Sequence, residues 1–250
     1  MNLSQFVIRV EKFEREFWFG DCVYFAALDR LQPVQADLKK LTKDEMTHVV
    51  KMFLVQWGSM TRIVNQKHID WGKLAENLRE NAGSLEHLSD KELLHCNFND
   101  LEVRDSINGL YESLDQKWSH TQVINSGKNA GQKRKVKSGI GPTSISKTLH
   151  LLNPRLFIMW DENVRNDLEF KSGASEYLRF LTYSKDLLIS CLSEGIDTSR
   201  DDKEVVQDIV AYSKSRLNDE ILTMYKQKTV AKLIDEYYII SSPKKRIKIG

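Results

Sequence analysis

Apolar residues recur along this chain at intervals of three and four, the spacing that lines one face of a helix. The segment from Phe6 to Arg30 carries Phe13, Phe17, Val23, Tyr24, Ala27 and Leu28 in that pattern, and Pro33 is expected to close it. Thr42, followed three residues on by Glu45, reads as a capping box opening a helix through Met46, Val49, Val50, Phe53, Leu54 and Trp57. Further helices are expected over Ile69–Asn81, Asp90–Cys96, Leu101–Lys117, Pro142–Leu152, Asp161–Phe170, Ser175–Ser193, Lys203–Leu217 and Asp219–Ile239. Strand-like character persists only in the apolar run Leu156–Trp160, and no internal repeat is visible. The expected class is all-α, two helical lobes with a cleft between them.

The 250 residues are enough for one large domain or two small ones. The reading is a single unit: residues 1–125 mainly an N-terminal helical lobe, 126–170 the centre of interest, and 171–250 C-terminal helices ending in a basic tail, Pro243–Lys248. Three widely separated cysteines, Cys22, Cys96 and Cys191, exclude a disulfide scaffold or a CxxC metal site. Together with the lack of a long apolar run or signal-peptide core, they predict an intracellular protein away from membranes, cytoplasmic, or nuclear in a eukaryote; a monomer is expected.

Net charge is only +2, but its distribution is uneven. Between Gln116 and Trp160 there is no acidic residue and there are eight cations: Lys117, Lys128, Lys133, Arg134, Lys135, Lys137, Lys147 and Arg155. Clustered cations of this kind suit a phosphate backbone, because they release its condensed counterions; a solvated basic loop is the alternative. Ser126–Lys137 (SGKNAGQKRKVK) reads as a flexible loop.

Directly after it, Gly139-Ile140-Gly141 permits a tight turn with exposed N–H groups, and Pro142 suits the first turn of a helix whose apolar face is Ile145, Leu149 and Leu152. Asn153-Pro154 ends that helix. The run Phe157-Ile158-Met159-Trp160 then leads to Asp161 and a new helix, Glu162-Asn163-Val164-Arg165. Taken alone, Asp161 is either an N-cap or a carboxylate placed for chemistry, and Lys147 either a phosphate contact or an ion-pair partner of Asp161.

The order of these features resembles the helix-hairpin-helix DNA glycosylase superfamily, over some 30 of the 250 residues. The resemblance implies that Gly139, Ile140 and Gly141 grip the DNA backbone and that Asp161, 20 residues beyond Gly141, is catalytic. Bifunctional members carry a nucleophilic lysine where this chain has Thr143, which points to the monofunctional branch, in which water attacks; Lys147 lies one helical turn further along the same face. The four-cysteine iron–sulfur loop of some members is absent, since only Cys191 follows the motif, and Ser138 replaces the commoner Leu-Pro before the turn. No cofactor and no catalytic metal is expected.

The implied chemistry is cleavage of an N-glycosidic bond, in which positive charge builds on the sugar. A carboxylate ~4 Å away contributes roughly 4 kcal/mol at an effective dielectric of ~20, about a thousandfold in rate. Asp161 is the residue assigned to that role and to orienting water, with Thr143 and Lys147 beside it. Lys133, Arg134, Lys135, Lys137 and Arg165 are expected on duplex DNA, and Trp160, Trp57 and Trp18 are candidates to stack on a flipped base, against the alternative of core packing. Members of the family excise oxidised, mispaired or alkylated bases and, in antiphage roles, modified cytosines such as glucosylated hydroxymethylcytosine. Divergence outside the hairpin favours a specialised substrate of the last kind. A bifunctional glycosylase/lyase using Lys147 and a non-catalytic DNA-binding module are the alternatives. Glu11, Glu14, Glu16 and Asp21 read as a solvated helix face, His150 as a structural histidine, and no second carboxylate is singled out.

Overall fold

A computed structural model of the chain describes residues 2–57, 69–123, 127–128, 130–213 and 219–242, the side chains of Trp18, Phe19, Gln122 and 219–221 excepted. The basic tail lies outside the described residues, as does the side chain of Trp18.

The described residues are mostly helical, with one two-stranded hairpin among them. Helix α1 (Leu3–Ala36) runs on the order of 50 Å at 1.5 Å per residue. Asn2 caps it, accepting from the Gln5 N–H while the Gln5 side chain returns to the Asn2 N–H. Pro33 does not end α1; it sits one turn from the C-terminus, and its carbonyl accepts the closing bond from the Asp37 N–H. The Thr42–Glu45 box forms as expected, with the Thr42 N–H donating to Glu45 and the Glu45 N–H to Thr42 Oγ1. It opens a π-helical stretch, Glu45–Val50, continuous with α2 (Lys51–Gln56), which ends at Trp57.

Next come α3 (Trp71–Glu80), α4 (Ala82–Leu88) and α5 (Leu101–Leu114). The helix expected over Asp90–Cys96 is instead a series of turns pinned by Glu92, whose carbonyl accepts from the His95 and Cys96 N–H groups.

The all-α expectation fails at the basic segment. Trp118–Val123 (β1) pairs antiparallel with Lys133–Ser138 (β2), Trp118 opposite Ser138 and Val123 opposite Lys133. Part of the stretch expected to be a loop is thus a strand, satisfying its backbone polar groups across the ladder rather than in water. The glycine turn therefore follows a strand and not a helix.

Helix α6 (Gly141–Leu152), α7 (Glu162–Asp167), α8 (Ala174–Leu192), α9 (Asp202–Ser213), α10 (Asp219–Tyr225) and α11 (Val230–Ser241) complete the chain. The last two replace one expected helix: Lys226–Thr229 turns the chain, and Thr229 caps α11 through the Lys232 N–H. Helix α11 lies along α1, which also touches α6, α8 and α9. A single apolar core runs through all of them.

Candidate active site

The run Leu156–Trp160 is fully buried; Leu156 closes a turn, and Phe157–Trp160 belongs to no helix or strand. The Leu156 and Phe157 N–H groups donate back to the Asn153 carbonyl, and side chains take up several of the other polar backbone groups. His150 Nδ1 donates to the Phe157 carbonyl at 2.6 Å, Tyr177 Oη donates to the Ile158 carbonyl at 2.7 Å, and Thr143 Oγ1 donates to the Trp160 carbonyl at 3.2 Å. The Trp160 N–H donates to Ser146 Oγ at 2.8 Å. Thr143, Ser146 and Lys147 fall at i, i+3 and i+4 on one face of α6, so the helix clamps the Trp160 peptide with two hydroxyls and presents an amine to the next residue.

That residue is Asp161. It occupies the N-cap of α7, its carbonyl accepting from the Arg165 N–H at 2.9 Å, but its carboxylate caps nothing. Oδ1 instead lies 3.1 Å from Lys147 Nζ. The amine is 3% exposed and the carboxylate 35%, so the pair is held from beneath and open from above. Lys147 Nζ also donates to the Trp57 carbonyl at 3.1 Å, the open end of α2, where a cation meets the negative end of the helix dipole.

The turn before α6 depends on its glycines. Gly141 has φ +76°, a backbone that side chains rarely adopt, and a Cβ on Gly139 would lie 2.2 Å from the Gln116 carbonyl oxygen at the foot of β1. Ile140 is buried between them.

The expected base-pocket residues divide. Trp160 is fully buried, stacked on Phe180 at 5.4 Å and flanked by Tyr177 and Phe170; its faces are covered, so it forms core and not a wall for a base. Trp57 is half-buried and stacks on Phe53 at 5.4 Å, with Lys147 Nζ 5.9 Å from its ring. Arg165 is half-buried with its guanidinium 5.3 Å from the Trp160 ring and NH1 donating to Thr143 Oγ1 at 3.4 Å, so it braces the site from within. Lys133, Arg134, Lys135 and Lys137 are all exposed on β2. Neither of two surface clefts, of about 290 Å³ beside Val210 and Leu222 and about 380 Å³ between Cys22 and Met52, is lined by Asp161.

Behind Trp57 lies a cluster that the sequence reading missed. Glu11, Glu14 and Asp21 are buried rather than solvated. Lys228 Nζ pairs with Glu14, Asp21 and Glu236, the last at 2.7 Å, while Lys232 Nζ lies 2.6 Å from Glu236, 3.7 Å from Asp235 and 4.6 Å from the Trp57 ring. The oxygens of Glu14, Asp21 and Glu236 converge within 4.8 Å as metal ligands do, but the Lys228 ammonium takes the place of an ion among them. Burial raises the Glu14 carboxyl to about 9, reinforced by Glu236, and raises Asp235 to about 7 against the pull of Lys232; Lys147 and Asp161 also act on Asp235. Burial also opposes the Glu236 carboxylate, yet the two ammoniums outweigh it and hold its pKa below the usual value.

The signal for the cluster was present: Glu14 and Asp21 keep register with Val7, Val10, Tyr24 and Leu31 on the core stripe of α1. Their lysine partners lie some 200 residues away in α11 and the turn before it, which no local pattern announces.

His150 is structural. Because a carbonyl only accepts, Nδ1 carries the hydrogen toward Phe157, and Nε2 accepts from Tyr24 Oη at 2.9 Å. Burial pulls its pKa down to about 3, so the ring is neutral.

The chain matches no family model, no curated protein and no solved structure.

Proposed function

We propose that the protein is a monofunctional DNA N-glycosylase that excises a modified base from a flipped nucleotide and leaves an abasic site. The observation that carries this reading is the Lys147–Asp161 pair: a partly open carboxylate, 3.1 Å from a buried amine, reached through a glycine turn from a strand of exposed cations. The resemblance to helix-hairpin-helix glycosylases adds to it, although here a strand precedes the turn.

The chemistry uses the pair as follows. The C1′–N bond breaks with its electrons leaving on the base, and positive charge develops on the sugar ring. The Asp161 carboxylate, 3.1 Å from Lys147 Nζ, stabilises that charge and orients a water. The water oxygen bonds to C1′, its proton passes to the carboxylate, and the departing base takes up a proton from solvent. Thr143 and Ser146, by gripping the Trp160 peptide, hold Asp161 in position. A hypermodified cytosine of phage DNA is the substrate class the reading favours, as antiviral defence.

The short distance from Lys147 Nζ to a carboxylate able to take its proton favours a second reading, a glycosylase/lyase in which the amine attacks C1′. Its 3% exposure and its bond to the Trp57 carbonyl weigh the other way.

The test is incubation with duplexes and phage genomic DNAs carrying normal, oxidised, alkylated and glucosylated bases, with mass spectrometry for free base. Base released by wild type and not by Asp161→Asn supports the proposal. A protein–DNA adduct trapped by borohydride and lost in Lys147→Ala would move the assignment to the lyase. Salt-sensitive binding with no base from any DNA would leave a non-catalytic DNA-binding protein.

A further inference from the structure

The hairpin divides its residues into two unlike faces. In an antiparallel pair, directly opposed residues share a face and successive ones alternate. Lys133, Lys135 and Lys137 therefore stand on one face, opposite Val123, Thr121 and Ser119, and all six are exposed. Trp118, His120, Val136 and Ser138 stand on the other and are half-buried, with Trp118 packed against the core. Arg134 belongs to this second face and makes interactions within the protein. The five consecutive residues Lys133–Lys137, read as one basic run in the sequence, thus become a row of three lysines on a rigid ladder with one cation turned away.

We infer that the lysine face of this β-ribbon is a docking surface for one phosphate backbone of duplex DNA beside the target nucleotide. The inference rests on the glycosylase reading and adds how the duplex is held. At ~3.4 Å per residue the lysines recur every ~6.8 Å and span about 14 Å. A DNA strand carries one phosphate per ~3.4 Å of axis, and because successive phosphates also rotate about that axis they lie about 7 Å apart, so successive lysines match successive phosphates. The facing Ser119 and Thr121 supply hydroxyl donors of the kind that contact phosphate oxygens, and neither strand contributes a carboxylate to repel them. The face presents no aromatic ring, so it offers no platform for stacking unpaired bases and suits a duplex better than a single strand.

The ribbon is also placed to serve the site. Its foot, where Trp118 faces Ser138, adjoins Gly139 and the turn into α6, while Lys133 lies at the far end. Close approach of Gly139 to the Gln116 carbonyl fixes that foot.

The test is the salt dependence of binding to an undamaged fluorescent duplex, followed by anisotropy. Lys133→Ala, Lys135→Ala and Lys137→Ala should each lower the slope of log K against log salt by about 0.9, and the triple variant by about 2.7. Arg134→Ala should lower it by less than any of the three. Thr121→Lys, directly across the ladder, should restore the slope in a Lys135→Ala background because it returns the charge to the same face. Each outcome is read at unchanged thermal midpoint. A wild-type slope in the triple variant, an Arg134→Ala loss equal to a lysine's, failure of the Thr121→Lys rescue, or equal slopes for single-stranded DNA overturns the inference while leaving base excision unaffected. Absence of any salt-dependent duplex binding by wild type would overturn the glycosylase reading as well.

Discussion

Lys147 Nζ stands 3.1 Å from Asp161 Oδ1 and 3.1 Å from the carbonyl oxygen of Trp57, so one buried amine joins α6, the start of α7 and the end of α2. An amine in that position pairs with a partly exposed carboxylate and closes the last turn of a helix.

Lys147→Met removes both contacts and takes this donor from the Trp57 carbonyl, while the partly exposed Asp161 carboxylate can turn to water. An unsatisfied buried acceptor costs about 1–3 kcal/mol, and at roughly 2–4 °C per kcal/mol for a chain of this size the thermal midpoint should fall by several degrees. Calorimetry checks this, and an unchanged midpoint would show that the pair is not structural.

Gly139→Ala places a methyl group against a backbone oxygen, 2.2 Å from the Gln116 carbonyl, and one of the two segments must move. Gly141→Ala meets open space and pays only for its φ of +76°, about 1 kcal/mol. Gly139→Ala should therefore be the more damaging to both melting temperature and DNA binding. Equal effects would mean that the foot of the hairpin is not held closely.

Asp235 gives a pH dependence with a definite sign. Its carboxyl is raised by burial to about 7, against 3.8 as the ordinary value. Between those pH values the folded chain keeps a proton that the unfolded chain has lost, so stability falls as pH rises from about 4 to 7, at about 1.4 kcal/mol per pK unit of difference. His150, lowered to about 3, slopes the opposite way between pH 3 and 6.5. The clean measurement is therefore the difference: Asp235→Asn should gain on wild type between pH 5 and pH 8 by on the order of a few kcal/mol in chemical unfolding. A constant difference across that range would contradict it.

Lys228 is the only described side chain that pairs with Glu14, Asp21 and Glu236 together. Breaking a buried ion pair by removing one partner costs about 3–5 kcal/mol, so Lys228→Met should destabilise severely. Adding Glu236→Gln removes an uncompensated charge and should recover part of the loss, a coupling that a double-mutant cycle reads directly. Additive losses would show that the charges act independently.

Much of the helical frame was legible because its cause is local. Apolar spacing marks α1, α5, α6 and α8, and the Thr42–Glu45 box marks the start of its helix. The hairpin was hidden because its outer face is lysine and its inner face only half-buried, so among Lys133–Ser138 Val136 alone is apolar. The Asp161–Lys147 contact was legible as one of two alternatives, since one helical face and a short return bring them together. Trp160 was a pocket candidate with core packing as its alternative, and three aromatic rings from α8 and the turn before it decide for the core. The buried cluster needed partners from opposite ends of the chain, and long-range pairing of that sort leaves no trace in local spacing.

The most direct test of the central claim is single-turnover release of free base from whichever DNA proves to be substrate, comparing wild type with Asp161→Asn and Lys147→Met. The account predicts a loss of about a thousandfold or more for Asp161→Asn, matching the roughly 4 kcal/mol a nearby carboxylate contributes, with DNA affinity retained. It also predicts slower release and no borohydride-trapped adduct at residue 147. Release by Asp161→Asn at the wild-type rate would contradict the account.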